Sequence, residues 1–201
     1  MIRVLLADDQ NLVRGALAAL LSFETDIEVV AEVGRGDEVL EAARRERADV
    51  ALLDVEMPGL DGIEATRVLT EQLPSCRALI LTTFGRPGFL RRAMEVGAWG
   101  FLVKDAPASE LADAVRRVHA GERVVDPVLA AESLAVGTSP LTERERDVLL
   151  AARDGGTVAD VARALHLSEG TVRNYLSSAI TKTAARTRAE AVRIAEERGW
   201  L

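Results

Sequence analysis

The chain has 201 residues, of which 48% are hydrophobic and 28% charged, a composition typical of globular rather than disordered proteins. Its one cysteine, Cys76, excludes an intrachain disulfide, and no apolar stretch approaches the roughly 20 residues that a membrane span needs. The net charge of −7 is uneven, because residues 141–201 hold ten basic against nine acidic side chains and the remainder holds fifteen against twenty-three. We therefore expect two domains with different partners, in a cytoplasmic protein without a signal peptide or a membrane partner.

The first 121 residues alternate short apolar runs with amphipathic segments. Strand-like runs are predicted at residues 2–7, 27–32, 49–54, 78–82 and 100–104. Helices are predicted between and after them, near residues 11–23, 37–46, 63–73, 88–96 and 108–120. Five strands alternating with five helices predict an α/β doubly wound domain of the flavodoxin-like type, with a five-stranded parallel sheet.

The rhythm changes after residue 121. Residues 122–140 contain Asp-Pro and Gly-Thr-Ser-Pro turn signals, so we interpret them as a linker that includes one apolar, helix-like piece near residues 128–136. Residues 141–201 follow a helical pattern throughout, with four short helices predicted near residues 142–153, 158–165, 169–183 and 188–198. This part predicts a small all-α domain of the helix-turn-helix type.

Polar side chains follow four of the predicted strands. Asp8 and Asp9 come after the first strand, Asp54 ends the third, Thr82 ends the fourth and Lys104 ends the fifth. The carboxyl ends of parallel strands meet at one edge of the sheet, where such folds bind their ligands. Three carboxylates at that edge would repel one another unless a cation lies among them, and hard oxygen ligands favour Mg²⁺. A nucleophile, a metal site, a hydroxyl donor and a fixed positive charge together indicate phosphoryl transfer.

Each of these residues has an ordinary interpretation when taken alone. A single strand-end aspartate is typically a turn residue, and Asp8-Asp9 suits any helix N-terminus. One enzyme class also uses this chemistry: phosphatases with an aspartyl nucleophile need Asp and Mg²⁺ on a doubly wound sheet. Such an enzyme would have a general acid two residues after the nucleophile, usually an aspartate, and this chain has Glu56 there instead. Turnover of a phosphate ester that depends on Asp54 would favour that alternative, although the short chain leaves no room for a cap domain.

The front of the chain resembles the receiver domain of two-component response regulators. The resemblance rests on motifs dispersed over the first 121 residues, namely Asp8-Asp9, Asp54, Met57-Pro58-Gly59, Thr82 and Lys104. It implies that Asp54 accepts a phosphoryl group from a sensor histidine kinase and that Thr82 and Lys104 then contact the phosphoryl oxygens.

The same resemblance implies roles for further residues. Asp9 would bind Mg²⁺ directly, Asp8 through water, and the backbone carbonyl of Glu56 would supply another ligand beside Asp54. Phe101 occupies the place of the family's aromatic switch residue, which is often a tyrosine; a phenylalanine there lacks the hydroxyl and favours the buried rotamer.

The tail contains a helix, a tight turn at residues 166–168 and a second helix that begins near Glu169. In helix-turn-helix units the second helix enters the major groove of DNA with its N-terminal residues at the base edges. Arg173 and Asn174 have side chains that pair with guanine and adenine, and Ser177 lies one turn further along. Contacts to phosphates, which position the protein without specifying sequence, are predicted for Thr171, Tyr175, Lys182 and Arg186.

This tail resembles the DNA-binding domain of the NarL/FixJ (LuxR-type) regulators. The matching motifs are Leu141-Thr142-x-Arg144-Glu145, Val161-Ala162-x-x-Leu165, Ser168-x-x-Thr171-Val172 and Arg188-x-Glu190-Ala191. The chain departs from the family where Lys182 is followed by Thr183 instead of leucine. A helical bundle that binds protein instead of DNA is the alternative for this tail. Loss of DNA binding when Arg173 and Asn174 are both replaced by alanine would exclude it.

A narrower resemblance points to the subgroup that regulates membrane-lipid desaturation, in which the kinase senses the state of the membrane. It rests on the sequences TTFGRPG from residue 82, TVRNY from residue 171 and Gly-Trp near the end.

These observations predict a transcription regulator that binds a double-stranded DNA operator and is controlled by phosphorylation. The first helix carries more apolar residues than one buried stripe requires, among them Leu12, Ala16 and Ala19. We therefore expect the first and fifth helices to form the two-fold surface of a homodimer that assembles when Asp54 is phosphorylated.

Overall fold

A computed structural model describes residues 1–83, 87–105, 107–136, 139–153 and 155–201. The chain divides into two compact units, of which the first contains nearly all described residues up to Ala131 and the second runs from Glu132 to Leu201. Residues 84–86 of the desaturation-type motif lie outside the described residues. In the part of the chain that the structure describes, no helix is both long and apolar enough to cross a membrane.

The first unit is built on a parallel sheet, which confirms the predicted fold class. Its strands are β1 (Ile2–Ala7), β2 (Ile27–Val33), β3 (Val50–Asp54), β4 (Arg77–Thr82), β5 (Gly100–Val103) and β6 (Val124–Val125). Their order across the sheet is β2-β1-β3-β4-β5-β6, and every pair is parallel. The two-residue strand β6 was not predicted, because two valines are too short a run to show periodicity.

Helices cover both faces of the sheet. They are α1 (Asn11–Leu21), α2 (Val39–Glu46), α3 (Gly62–Gln72), α4 (Pro87–Glu95) and α5 (Ala108–Ala120), and α6 (Pro127–Val136) follows β6. Alternate strand residues point to opposite faces. Leu53 therefore packs in a core cluster with residues of α2, α3 and α4, whereas Leu52 packs with residues of α1 and α5. The helix-like piece that we expected in the linker is α6, which begins at Pro127.

The register of the central strands decides which side chains meet. Strand β3 is buried along its whole length, as its run of apolar residues predicted. Ala7 at the end of β1 pairs with Leu53 of β3, so Asp8 follows β1 at the level of Asp54. Asp54 in turn pairs with Leu81, one residue before Thr82.

After α6, the described residues of the second unit form four helices, as predicted. They are α7 (Glu143–Ala151), α8 (Val158–Ala164), α9 (Glu169–Lys182) and α10 (Arg188–Glu197). Each begins after a Thr or Ser whose hydroxyl accepts the backbone N–H three residues on. Thr142 and Glu145 form a capping box at the start of α7. Helices α8 and α9 are joined through His166, whose φ of 55° produces the sharp turn of a helix-turn-helix unit.

Candidate functional sites

The structure brings the three predicted acids together at the carboxyl edge of the sheet. Asp8 and Asp54 are buried and Asp9 is exposed. One carboxylate oxygen of each lies within 4.8 Å of those of the other two. The edge is therefore open on the side of Asp9 and closed around the other two acids.

The ammonium group of Lys104 lies between two of these acids. Its Nζ is 2.7 Å from Asp8 Oδ2 and 3.0 Å from Asp54 Oδ1. Burial alone would lower the pKa of Lys104, but the two carboxylates outweigh burial and raise this pKa. Burial also raises the pKa of Asp54, and the hydrogen bond from Lys104 offsets only part of that rise. Lys104 is thus held charged in contact with the candidate nucleophile.

The donor set of this site fits a divalent cation. With all groups ionised, three carboxylates and one ammonium leave a net charge of −2, which one Mg²⁺ would neutralise. Carboxylate oxygens are ligands that Mg²⁺ takes, and it binds at few protein groups while keeping several waters. The exposed Asp9 leaves room for such waters.

Thr82 and Glu56 lie at the same edge, whereas Phe101 lies further back in β5, at the level of Ile80. Thr82 is buried at the end of β4, and its backbone carbonyl accepts the N–H of Lys104 at 2.8 Å. Glu56 lies in the loop after β3 with its side chain exposed. Phe101, the predicted switch residue, is fully buried within β5.

One residue of this site was missed from the sequence. Gly62 begins α3, and a Cβ there would lie 2.0 Å from the backbone carbonyl oxygen of Asp54. Its N–H donates to the carbonyl of Val55 at 2.9 Å. Only glycine therefore lets α3 start so close to the candidate nucleophile. The Asp61-Gly62 pair before an amphipathic run is the sequence signal that predicts this kind of helix start.

Helix α9 presents the residues predicted to read bases on its surface. Arg173, Asn174 and Ser177 are all exposed. Arg173 Nη2 donates to Glu169 Oε2 at 2.5 Å, so its guanidinium is held on the helix surface one turn back.

The four residues predicted to contact phosphates lie in different environments. Thr171 is half-buried and its Oγ1 is 2.8 Å from Ser168 Oγ in the cap of α9. Tyr175 is half-buried against the core of the second unit, and Arg186 is exposed in the turn between α9 and α10. Lys182 is engaged in an ion pair.

Lys182 binds a buried carboxylate of α7. Its Nζ lies 2.7 Å from Glu145 Oε2, and Ser178 Oγ donates to Glu145 Oε1 at 2.6 Å. Although burial raises the pKa of Glu145, the hydrogen bonds from Lys182, Ser178 and Thr142 outweigh it and lower this pKa to about 2. This ion pair joins the end of the candidate recognition helix to α7, so we leave Lys182 out of the proposed phosphate contacts.

Replacing Glu145 with glutamine should remove an acid-sensitive part of the stability of the second unit. Because the pKa of Glu145 is about 2 in the fold against 4.5 ordinarily, its stabilisation is complete above about pH 5 and is lost as the pH falls toward 2. Between about pH 5 and pH 2, the free energy of unfolding of the wild type should therefore fall further than that of Glu145→Gln, by on the order of 2 kcal/mol. Urea unfolding followed by circular dichroism at several pH values measures this difference. Glu143→Gln, at an exposed position of the same helix, is the control, and equal pH slopes for Glu145→Gln and wild type would contradict the prediction.

Comparison with known protein families identifies the class to which this fold and these residues belong. Residues 4–116 match the response regulator receiver domain, and residues 139–195 match the luxR family of bacterial regulatory proteins. The first match alone covers more than half of the chain, so the protein belongs to the response regulators. With the second match it is a DNA-binding response regulator of the LuxR type.

Individual relatives agree with this family over the whole chain. The protein is 40% identical over 201 residues to the transcriptional regulatory protein DesR of Bacillus subtilis (strain 168), and the match covers 100% of both chains. It is 34% identical, with a TM-score of 0.60, to the crystal structure of ChrA, the response regulator of a heme-sensing two-component system, over 100% of this chain and 98% of that one. The RcsB–DNA complex, at 22% identity, a TM-score of 0.69 and 98% coverage of both chains, shares the fold.

Proposed function

We propose that Asp54 accepts a phosphoryl group from a sensor histidine kinase and that this modification controls dimerisation, operator binding and transcription. The observation that supports the proposal is one constellation: a buried aspartate at a strand end, two neighbouring acids and an ion-paired lysine, in a chain that also carries an exposed helix-turn-helix face. A phosphoryl donor and an operator as partners support a cytoplasmic location, which we include in the proposal.

The proposed reaction follows from the groups around Asp54. A carboxylate oxygen of Asp54 attacks the phosphorus of the phosphohistidine, so that an O–P bond forms while the P–N bond breaks and the imidazole leaves. Bound Mg²⁺, held by Asp8, Asp9, Asp54 and the carbonyl of Glu56, would neutralise charge on the transferred group. Lys104 already contacts an oxygen of Asp54 and follows the developing negative charge onto the phosphoryl group.

Phosphorylation of Asp54 must change the conformation of the receiver to control the rest of the protein. We propose that the hydroxyl of Thr82 turns toward the phosphoryl oxygens and that Phe101 responds to the space this opens. In the structure Phe101 is fully buried in β5, which pairs with β4, the strand that Thr82 ends. Transmission would be a shift between two populations of the receiver that phosphorylation favours to different extents.

The surface of α1 supports a dimer. On α1, Leu12 is 87% exposed and Ala16 and Ala19 are exposed. Phe23, two residues after the end of the helix, is 81% exposed. Apolar side chains grouped on one helix face are typical of an interface, because burying them is favourable only when a partner covers them. We propose that this face, with α5 beside it, forms a two-fold contact between phosphorylated chains.

Solution mass by light scattering tests the proposed function. The wild type should shift from monomer to dimer on addition of a small phosphodonor with Mg²⁺, and Asp54→Asn should stay monomeric. Leu12→Asp or Ala19→Asp should accept the phosphoryl group and yet dimerise at least about tenfold more weakly, since two charges would be buried per interface.

A charge added elsewhere separates interface effects from general ones. Thr70→Asp, at an exposed position of α3 on the opposite face of the sheet, should dimerise as the wild type does. Dimers of Leu12→Asp that form as readily as those of Thr70→Asp would contradict the α1 surface. The absence of any mass shift in the phosphorylated wild type would contradict control of assembly by Asp54.

A further inference from the structure

Arg14 is a partly buried arginine whose side chain folds back from α1 onto the loop that carries two of the acids. Its side chain is only 17% exposed. Nη1 donates to the backbone carbonyl oxygen of Asp8 at 2.5 Å and Nη2 to Asn11 Oδ1 at 2.7 Å. Its Nε lies 3.5 Å from Glu32 Oε2, near the end of β2. One guanidinium therefore joins the β1–α1 loop, the first turn of α1 and the neighbouring strand.

The carbonyl that Arg14 binds belongs to the peptide between Asp8 and Asp9. Fixing this carbonyl fixes the plane of that peptide, and with it the directions in which both side chains leave the backbone. Other contacts hold Asp8 at different atoms: its N–H donates to the carbonyl of Val33 at 3.1 Å, and its carboxylate accepts the N–H of Gln10 at 2.9 Å and pairs with Lys104 at 2.7 Å. Arg14 adds a contact at the carbonyl of the Asp8–Asp9 peptide, just before a helix whose N-cap residue Gln10 provides no side-chain cap.

We propose that Arg14 is a positioning residue for the Mg²⁺ site, which it serves by holding the Asp8–Asp9 peptide so that both carboxylates converge on the ion. The inference rests on the proposed phosphoryl-acceptor function. Arg14 acts through the backbone and not as a ligand, since a guanidinium has donors only. The planar fork of arginine suits this role because two of its nitrogens bind the carbonyl and Asn11 at once.

A positioning role and a purely electrostatic role of Arg14 predict opposite changes in Mg²⁺ affinity when the residue is removed. A cation near three carboxylates repels a second cation, so its removal alone would strengthen Mg²⁺ binding. If Arg14 orients the ligands, its removal weakens binding instead. Outer groups that orient metal ligands typically change metal affinity by about 10–100-fold.

A second arginine provides a matched control at the opposite edge of the sheet. Arg77 at the start of β4 also binds backbone carbonyls, those of Val118 and His119 at the end of α5, and its guanidinium stacks 4.8 Å from the ring centre of Trp99. It stabilises the receiver with comparable contacts but lies far from Asp54, because Arg77 begins β4 whereas Asp54 ends the parallel strand β3, so the length of a strand lies between them. Loss of Arg77 should reduce stability without changing Mg²⁺ affinity.

Calorimetric titration of the unphosphorylated full chain with Mg²⁺ tests this inference. Arg14→Ala should bind Mg²⁺ about tenfold more weakly or worse, Arg14→Lys should recover part of the affinity, and Arg77→Ala should match the wild type. If Arg14→Ala does not fold, Arg14→Lys decides, because a single ammonium keeps the charge but cannot bind the Asp8 carbonyl and Asn11 as a fork.

Two results would overturn the inference: unchanged or tighter Mg²⁺ binding by the folded Arg14 variant, or an equal loss in Arg77→Ala, which would assign the effect to general stability. A wild type that binds no Mg²⁺ is a different result, because it contradicts the proposed phosphoryl-acceptor function itself.

Discussion

Replacement of Asp54 by asparagine is expected to abolish phosphoryl incorporation completely. The amide keeps the size and shape of the buried side chain but has no carboxylate oxygen to attack phosphorus. Intact-protein mass spectrometry after incubation with a small phosphodonor and Mg²⁺ measures the result directly, since the wild type should gain one phosphoryl group.

Asp61→Asn is the matched control for this experiment. Asp61 is an exposed aspartate whose side chain caps α3 by accepting the N–H of Glu64 at 2.7 Å, and asparagine caps helices equally well. This variant should incorporate the phosphoryl group as the wild type does. Incorporation by Asp54→Asn at the rate of Asp61→Asn would show that another residue is the acceptor.

Simultaneous replacement of Arg173 and Asn174 by alanine should cause the second large effect, the loss of sequence-specific DNA binding. Each base contact of this kind contributes about 1–3 kcal/mol, so the double variant should bind its operator roughly thirty-fold or more weakly. The operator is first selected with phosphorylated wild type from a pool of random duplexes. Fluorescence anisotropy on the selected duplex and on the unselected pool then separates specific from non-specific affinity.

Arg193 offers a control with nearly the same local structure. It lies on α10, is 60% exposed against 62% for Arg173, and pairs with Glu197 one turn on at 2.8 Å, as Arg173 pairs with Glu169. Arg193→Ala should keep the preference for the selected duplex over the pool. If the double variant keeps that preference to the same degree as Arg193→Ala, α9 is not the helix that reads the operator.

Much of the fold could be predicted from the sequence because its signals are local. The alternation of apolar runs and amphipathic segments predicted the parallel sheet, and the tight turn at residues 166–168 marked the start of α9. Strand β6 was missed because two residues carry no period. The end of α1 at Leu21 was placed two residues late, since the apolar pattern continues to Phe23 although the helix does not.

The sequence alone determined which chemical groups meet at the edge of the sheet. The carboxyl ends of parallel strands lie together, so strand-end residues such as Asp54, Thr82 and Lys104 share one edge whatever the details of packing. Only the tertiary structure decided which partners the charged side chains contact. Lys104 pairs with Asp8 and Asp54, Lys182 pairs with Glu145, and Arg14 donates to the backbone carbonyl of Asp8. These contacts depend on distances between segments far apart in the chain or on the path of a loop, and hydrophobic periodicity reports neither, because it records only which face of an element is buried.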